Sequence, residues 1–242
     1  MRTAGSQKPA DRIRILQESV IACTRCPRLA RYIRKVAEEK RRMYRDQEYW
    51  GKPLPSFGDP EAELLILGLA PAAHGGNRTG RMFTGDRSGD FLYRALYDAG
   101  FASQPLSRYR LDGLTLHRCY ITAALRCAPP KNKPLPQELR NCQSYLEEEI
   151  RLLPSVRAVL ALGRIAFDTY LRLIYSGKLT PTVALPRRSS LRYGHGVDYD
   201  LPGLPRLFAS YHPSQQNTQT GKLTRAMMAS LLTSVQEFLN RH

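Results

Sequence analysis

Residues 63–70 read ELLILGLA, and residues 71–89 continue as PAAHGGNRTGRMFTGDRSG. The first stretch is a short apolar run of the kind that forms a parallel strand buried on both faces. The second breaks that run with glycines and polar residues, after which FLYRALYDAGF (91–101) reads as a helix ended by Gly100. The same unit of strand, loop and helix recurs. CYITAAL (119–125) is a second strand, followed by the loop RCAPPKNKPLP (126–136) and a helix over 137–153. VRAVLALG (156–163) is a third, running into a helix over 164–175. RLFASY (206–211) is a fourth, followed by the loop HPSQQNTQTG (212–221) and the amphipathic stretch LTRAMMASLLTSVQEFLN (223–240). Strands alternating with helices dictate a parallel sheet with helices on both faces and right-handed crossovers.

Upstream, residues 11–48 read as helical. Ile13, Leu16, Val20 and Ile21 form one apolar face, Leu29, Ile33 and Val36 a second, and Pro27 is placed to open the second helix. The helical reading extends through the charged run EEKRRMYRDQE (38–48). Residues 177–205, rich in Gly, Pro and Arg, read as an irregular insertion or hairpin. No linker or internal repeat divides the chain, so 1–242 is read as one domain.

Ligands of such sheets bind outside the carboxyl ends of the strands. The unusual polar loops, 70–89, 126–136 and 212–221, all fall there, which places the expected site at this rim. Lys and Arg number 37 against 21 Asp and Glu, a net charge of +16 spread along the chain. A broad basic surface is the footprint of a polyanion partner, because phosphate contacts release counterions. No apolar run approaches the roughly 20 residues of a membrane span, and MRTAGSQKPADRIR has no secretory apolar segment, so a cytoplasmic monomer is expected.

Five cysteines at uneven spacing argue against a disulfide framework. Cys23 and Cys26 form a C-x2-C at the junction of the first two helices. Cys127 and Cys142 bracket a proline-stiffened loop. Four thiolates suit zinc or an iron-sulfur cluster, and the spacing leaves both open. Cys119 opens a strand and reads as a core thiol. On the rim, Phe83 is either a core plug or a platform on which a flat base stacks. His212, just past the fourth strand, is either surface decoration or an electrostatic catalyst. Ser214, Gln215 and Asn217 beside it are suited to phosphates or to a gap in a duplex.

Taken jointly, CTRCP (23–27), FGDP (57–60), GLAPAAHGGNRTGRMFTGD (68–86), RCAPPKNKP (126–134) and HPSQQNTQTG (212–221) resemble the family 5, B-type, uracil-DNA glycosylases of bacteria and archaea. The resemblance covers nearly the whole chain in order, least well over 177–205. It implies an α/β/α sandwich around a four-stranded, mostly parallel sheet. It also implies a [4Fe-4S] cluster on Cys23, Cys26, Cys127 and Cys142, and excision of uracil and other deaminated bases from DNA. Phe83 matches the family's stacking aromatic and His212 its last-motif histidine. The related A-type enzymes carry an acidic residue and an asparagine where this chain has Leu69 and Ala123. Loss of that asparagine implies relaxed selectivity, extending to hypoxanthine and xanthine, and moves the water-holding role to Asp86.

In the resulting mechanism Phe83 stacks on a flipped base while backbone groups from Leu69 and Ala70 to Ala72, with His212, stabilise charge on its carbonyl oxygen. Asn132 contacts base or phosphate, and Arg25, Arg28 and Lys131 face phosphates beside the cluster. Two readings compete with this one: a strict uracil enzyme of the A type, and a non-catalytic nucleic-acid-binding module built on a metal site.

Overall fold

The computed structural model describes residues 8–179 and 184–241. In chain order its strands are β1 (Phe57–Gly58), β2 (Leu64–Gly68), β3 (Cys119–Ala123), β4 (Ala158–Leu162), β5 (Asp198–Tyr199) and β6 (Arg206–Ser210). Its α-helices are α1 (Pro9–Ile21), α2 (Pro27–Glu39), α3 (Gly76–Thr79), α4 (Arg87–Asp98), α5 (Pro136–Leu152), α6 (Arg164–Tyr175), α7 (Gln215–Gln219) and α8 (Arg225–Asn240). The sheet runs β1-β3-β2-β4-β6-β5, and β3, β2, β4 and β6 are parallel.

The α/β class is the expected one, but the sheet has six strands, not four. β1 and β5 pair antiparallel on the two edges, against β3 and β6. Each is two residues long, too short for alternating hydrophobicity to reveal it. They cover the edges of the parallel core, which would otherwise present unpaired backbone groups. β5 comes from the segment read as an irregular insertion or hairpin, and it pairs with β6 as the hairpin alternative has it.

Side chains along a strand alternate between faces, and the core divides accordingly. Leu64, Ile66, Ile121, Leu160 and Phe208 pack with α4 and α8 on one side. Leu65, Leu67, Val159, Leu207 and Ala209 pack with α5 and α6 on the other. All five residues of β2, β3 and β4 are buried, as continuous apolar runs require of a sheet covered on both faces.

The N-terminal helices stop where their periodicity stops. α2 ends at Glu39, and Lys40 takes φ +49, a left-handed conformation that terminates the helix. The charged run 38–48 is therefore not helical beyond that point except for a 3-10 turn, Arg42–Tyr44. Charge spacing does not explain the stop, since at i and i+4 Glu38–Arg42 and Arg42–Asp46 are opposite pairs and only Arg41–Arg45 is a like one. The helix expected over 137–153 starts one residue earlier at Pro136, and α7 occupies part of the loop 212–221. Among the described residues no helix is long and apolar enough to cross a membrane.

Candidate active site

The parallel register sets Gly68 beside Ala123 and Leu162 beside Ser210, so the carboxyl ends of the strands open on one rim. A cavity of about 240 Å³ lies there, below the roughly 300–1,000 Å³ typical for drug-sized ligands. Leu69, Ala70, Phe83, Asp86, Asn132 and His212 all line it, together with Ala123. The six residues read from the sequence as catalytic or as holding the base therefore meet in one pocket, with Ser214, while Gln215, Asn217, Arg25, Arg28 and Lys131, read as contacts to phosphates or the duplex, lie outside it. Among the described lining residues only Asp86 and His212 titrate.

Phe83 is held in a conformation its residue type resists. Its φ is +50, a left-handed backbone that costs energy in a residue with a Cβ. Its ring lies against the end of β2, where a Cβ on Gly68 would sit 3.0 Å from Cζ. A Cβ on Gly89 would sit 1.7 Å from its carbonyl oxygen, so only glycine fits at that position. The conformation is fixed from behind. Tyr93 Oη donates to the Met82 carbonyl at 2.9 Å, and Arg81, 2% exposed, reaches Thr84 and Ser107 at 3.1 Å. Arg81 also pairs with Asp112 at 2.7 Å. Arg81, Thr84, Ser107 and Asp112 escaped the sequence reading because they lie up to 31 positions apart and carry no motif. Arg81 stands among other charged and polar residues of the loop, His74, Arg78, Asp86 and Arg87, so nothing in the sequence singles it out.

The imidazole of His212 lies at 5.9 Å centroid distance from the Phe83 ring, with the planes 29° apart. Asn217 Nδ2 donates to the His212 carbonyl at 2.8 Å, and Ser214 caps α7 by accepting from the Asn217 amide. Ser214 and Asn217 thus shape the loop that carries His212, while Gln215 and Gln216 are left exposed. Burial lowers the His212 pKa from 6.5 to about 4, so the ring is neutral at physiological pH and acts as a hydrogen-bond donor or acceptor, not a cation. Because the folded pKa lies below the unfolded one, the associated stability is fully present above pH 6.5 and is lost as the pH falls toward about 4. The loss is on the order of 3 kcal/mol. In urea melts between pH 7 and 4, His212→Gln is expected to remove most of this dependence; an unchanged pH profile would refute the assignment.

Asp86 is the N-cap of α4: Oδ1 accepts from the Gly89 amide at 3.0 Å. Burial raises its pKa, while the amides of Gly89 and Ser88, the Arg78 guanidinium and the helix N-terminus favour the anion. Arg78 secures the surrounding loop, donating from Nε to the His74 carbonyl and from Nη2 to the Gly85 carbonyl, both at 2.8 Å. Asn132 stands at the exposed rim, itself left-handed at φ +55, in a turn that also carries exposed Lys131.

Cys23, Cys26, Cys127 and Cys142 line one further cavity between α1, α2, the loop after β3 and α5. Burial and the neighbouring thiols push Cys127 far up, and burial pushes Cys142 up to about 11. Arg126 lines the same cavity at 1% exposure, and its Nε has no partner. Among the described residues no three His, Cys, Asp or Glu are grouped to hold a single ion. The charge of Arg126 is met by Glu149, so what it offers the cavity is one unpartnered buried N–H donor; a wall of four thiols with such a donor beside it fits a thiolate-ligated group larger than one ion. Cys119, fully buried at the start of β3, is a core thiol as read.

Two of the basic side chains expected to face phosphates are engaged elsewhere. Arg28 makes a two-pronged pair with Glu138 at 2.7 Å, and Arg25 donates to Ser144 at 2.7 Å with its guanidinium 4.4 Å from the centre of the Tyr145 ring. Arg28 ties α2, and Arg25 the turn before it, to α5 around the cysteines. Charge counting is blind to such partners.

A family model described as the uracil DNA glycosylase superfamily matches residues 55–236. A type-5 uracil-DNA glycosylase of Thermus thermophilus is 51% identical over 215 residues, 89% of this chain and 93% of that protein. A type-5 enzyme of Pyrobaculum aerophilum is 43% identical over 213 residues, 88% and 87% of the two chains. A type-4 enzyme of Archaeoglobus fulgidus is 30% identical over 116 residues, 47% of this chain.

Proposed function

Because this chain belongs to the uracil-DNA glycosylase superfamily, with type-5 relatives aligned over nearly its full length, we propose that the rim pocket excises uracil and, less selectively, hypoxanthine and xanthine from DNA. The chain is a monofunctional DNA glycosylase, an N-glycosyl hydrolase. The wider substrate range is the proposed part, and with it the residue roles.

The observation that carries the reading is the shared cavity of Phe83, Asp86 and His212, with Ala123 where a side chain able to read uracil's polar edge would stand. The target bond is inaccessible in a stacked duplex, so the nucleotide must be flipped out, at lowest cost where the base is mispaired. Phe83 supplies the face against which the base rests. As the glycosidic bond breaks, its electron pair passes to the base, and the sugar acquires oxocarbenium character. Neutral His212 and backbone amides of Leu69 and Ala70 oppose the charge gathering on the base oxygen. Asp86 holds the water whose oxygen bonds to the sugar carbon and whose proton it accepts; its negative charge also favours the cationic sugar.

Cys23, Cys26, Cys127 and Cys142 are the residues that would hold a [4Fe-4S] cluster. Its contribution is structural: it would clamp the N-terminal helices to the loop before α5. The residues span one domain and act in this reading as a monomer.

His212→Ala is expected to slow uracil release by about a hundred- to a thousandfold, as loss of one donor to a developing oxyanion does. A panel of duplexes bearing uracil, hypoxanthine or xanthine, assayed with the holoprotein, tests both parts. Unchanged turnover removes His212 from the mechanism, and release of uracil alone restores the strict reading.

A further inference from the structure

Asn132 belongs to two cavities. Besides the pocket it lines a neighbouring one of about 560 Å³, walled by the loop 132–136, α5 and α6. That cavity shares Asp168 and Arg172 with a third of about 720 Å³, between α6 and residues 188–193. The three run end to end, from the catalytic pocket across α6 to the segment before β5.

Six cations line the two outer cavities: Lys133, Arg140, Arg164, Arg172, Arg188 and Arg192. Asp168 is the one acid, and it is taken by Arg164, Nε to Oδ2 at 2.9 Å. The other five are exposed and make no ion pair among the described residues. Unpaired like charges drawn into one trough repel one another, so the arrangement is favoured by a ligand with evenly spaced negative charge. Between them lies an apolar strip that includes Leu139 and Ile165, the latter 38% exposed. Cations flanking an apolar floor suit an unpaired strand, which offers phosphates and base faces together; in a duplex the base faces are stacked away.

We propose that this trough holds the single-stranded continuation of the substrate strand on one side of the excised nucleotide, with residues 188–193 as its outer wall. The proposal rests on the glycosylase reading and adds a direction to it, since the trough joins the pocket only past Asn132. It also gives the insertion a role, because pairing of β5 with β6 anchors the segment that carries Arg188 and Arg192.

The test uses the holoprotein and a variant carrying Arg172→Gln, Arg188→Gln and Arg192→Gln, none of them in the pocket. Labelled single-stranded oligonucleotides with one uracil are lengthened stepwise on the 5′ or the 3′ side; affinity and kcat/KM are measured at several salt concentrations. For the wild type, lengthening on one side should raise both. The variant should lose that gain, release uracil from the shortest substrate at the wild-type rate, and show a slope of log affinity against log salt smaller by about 2. An equal gain in the variant, or an equal gain from either side, overturns the trough. If the wild type releases no uracil the glycosylase reading fails, and the length and salt dependence of binding still decides the trough.

Discussion

Asp86→Asn is expected to slow uracil release about a hundred- to ten-thousandfold in single-turnover assays, the usual range for removing a positioned general base, with oligonucleotide affinity nearly unchanged. The substitution isolates charge from structure. Asp86 caps α4 through a hydrogen bond from the Gly89 amide, and asparagine caps a helix about as well, so the loop 71–89 keeps its shape. What disappears is the anion that would accept the water's proton and favour a positive sugar. The same side chain is pulled two ways, toward the neutral form by burial and toward the anion by two amides and Arg78. An anion held in place at a desolvated wall is worth more to a developing cation than one in water. Wild-type rates in Asp86→Asn would send the water to another group. Loss of DNA affinity in step with activity would instead mean that Asp86 shapes the binding surface.

Much of this arrangement is legible in the amino-acid sequence. The apolar runs 64–68, 119–123 and 158–162 could be little else than buried parallel strands, and the polar loops after them had to share a rim. That alone brings Phe83 near His212. The network holding Phe83 was not legible, because Arg81 and Asp112 meet only after α4 and the following loop have folded. The same holds for the basic surface. Arg28 looks as free in the sequence as Arg172, but one lies against Glu138 and the other faces solvent in the trough. Two-residue edge strands fail for another reason: Phe57–Gly58 and Asp198–Tyr199 are too short to show a period. Lys40 shows the limit of charge patterning, since a polar run continues past the helix end and only the backbone marks the stop.

Glu149→Leu is expected to destabilise the fold by about 3–5 kcal/mol, measured as a shift in the urea midpoint at constant slope. That is a large share of the roughly 5–15 kcal/mol that holds a domain together. Glu149 is fully buried and pairs with Arg126, 1% exposed, across the face of the sheet. Thr122 donates to it at 2.6 Å, Ser56 at 2.5 Å and Gln17 at 3.0 Å, tying α1, β3 and α5 together. Removing the carboxylate strands a guanidinium where no water can solvate it. Replacing both partners should cost far less, because desolvating two charges offsets most of what their attraction returns. The double variant Glu149→Leu with Arg126→Met is therefore expected to recover most of the midpoint. A double variant as unstable as the single one would mean that the hydrogen bonds, not the stranded charge, set the cost. Recovery would imply that the pair is kept for a reason other than stability. The unpartnered Nε–H of Arg126 beside the four cysteines supplies one, since Glu149 fixes the direction in which that donor faces their cavity.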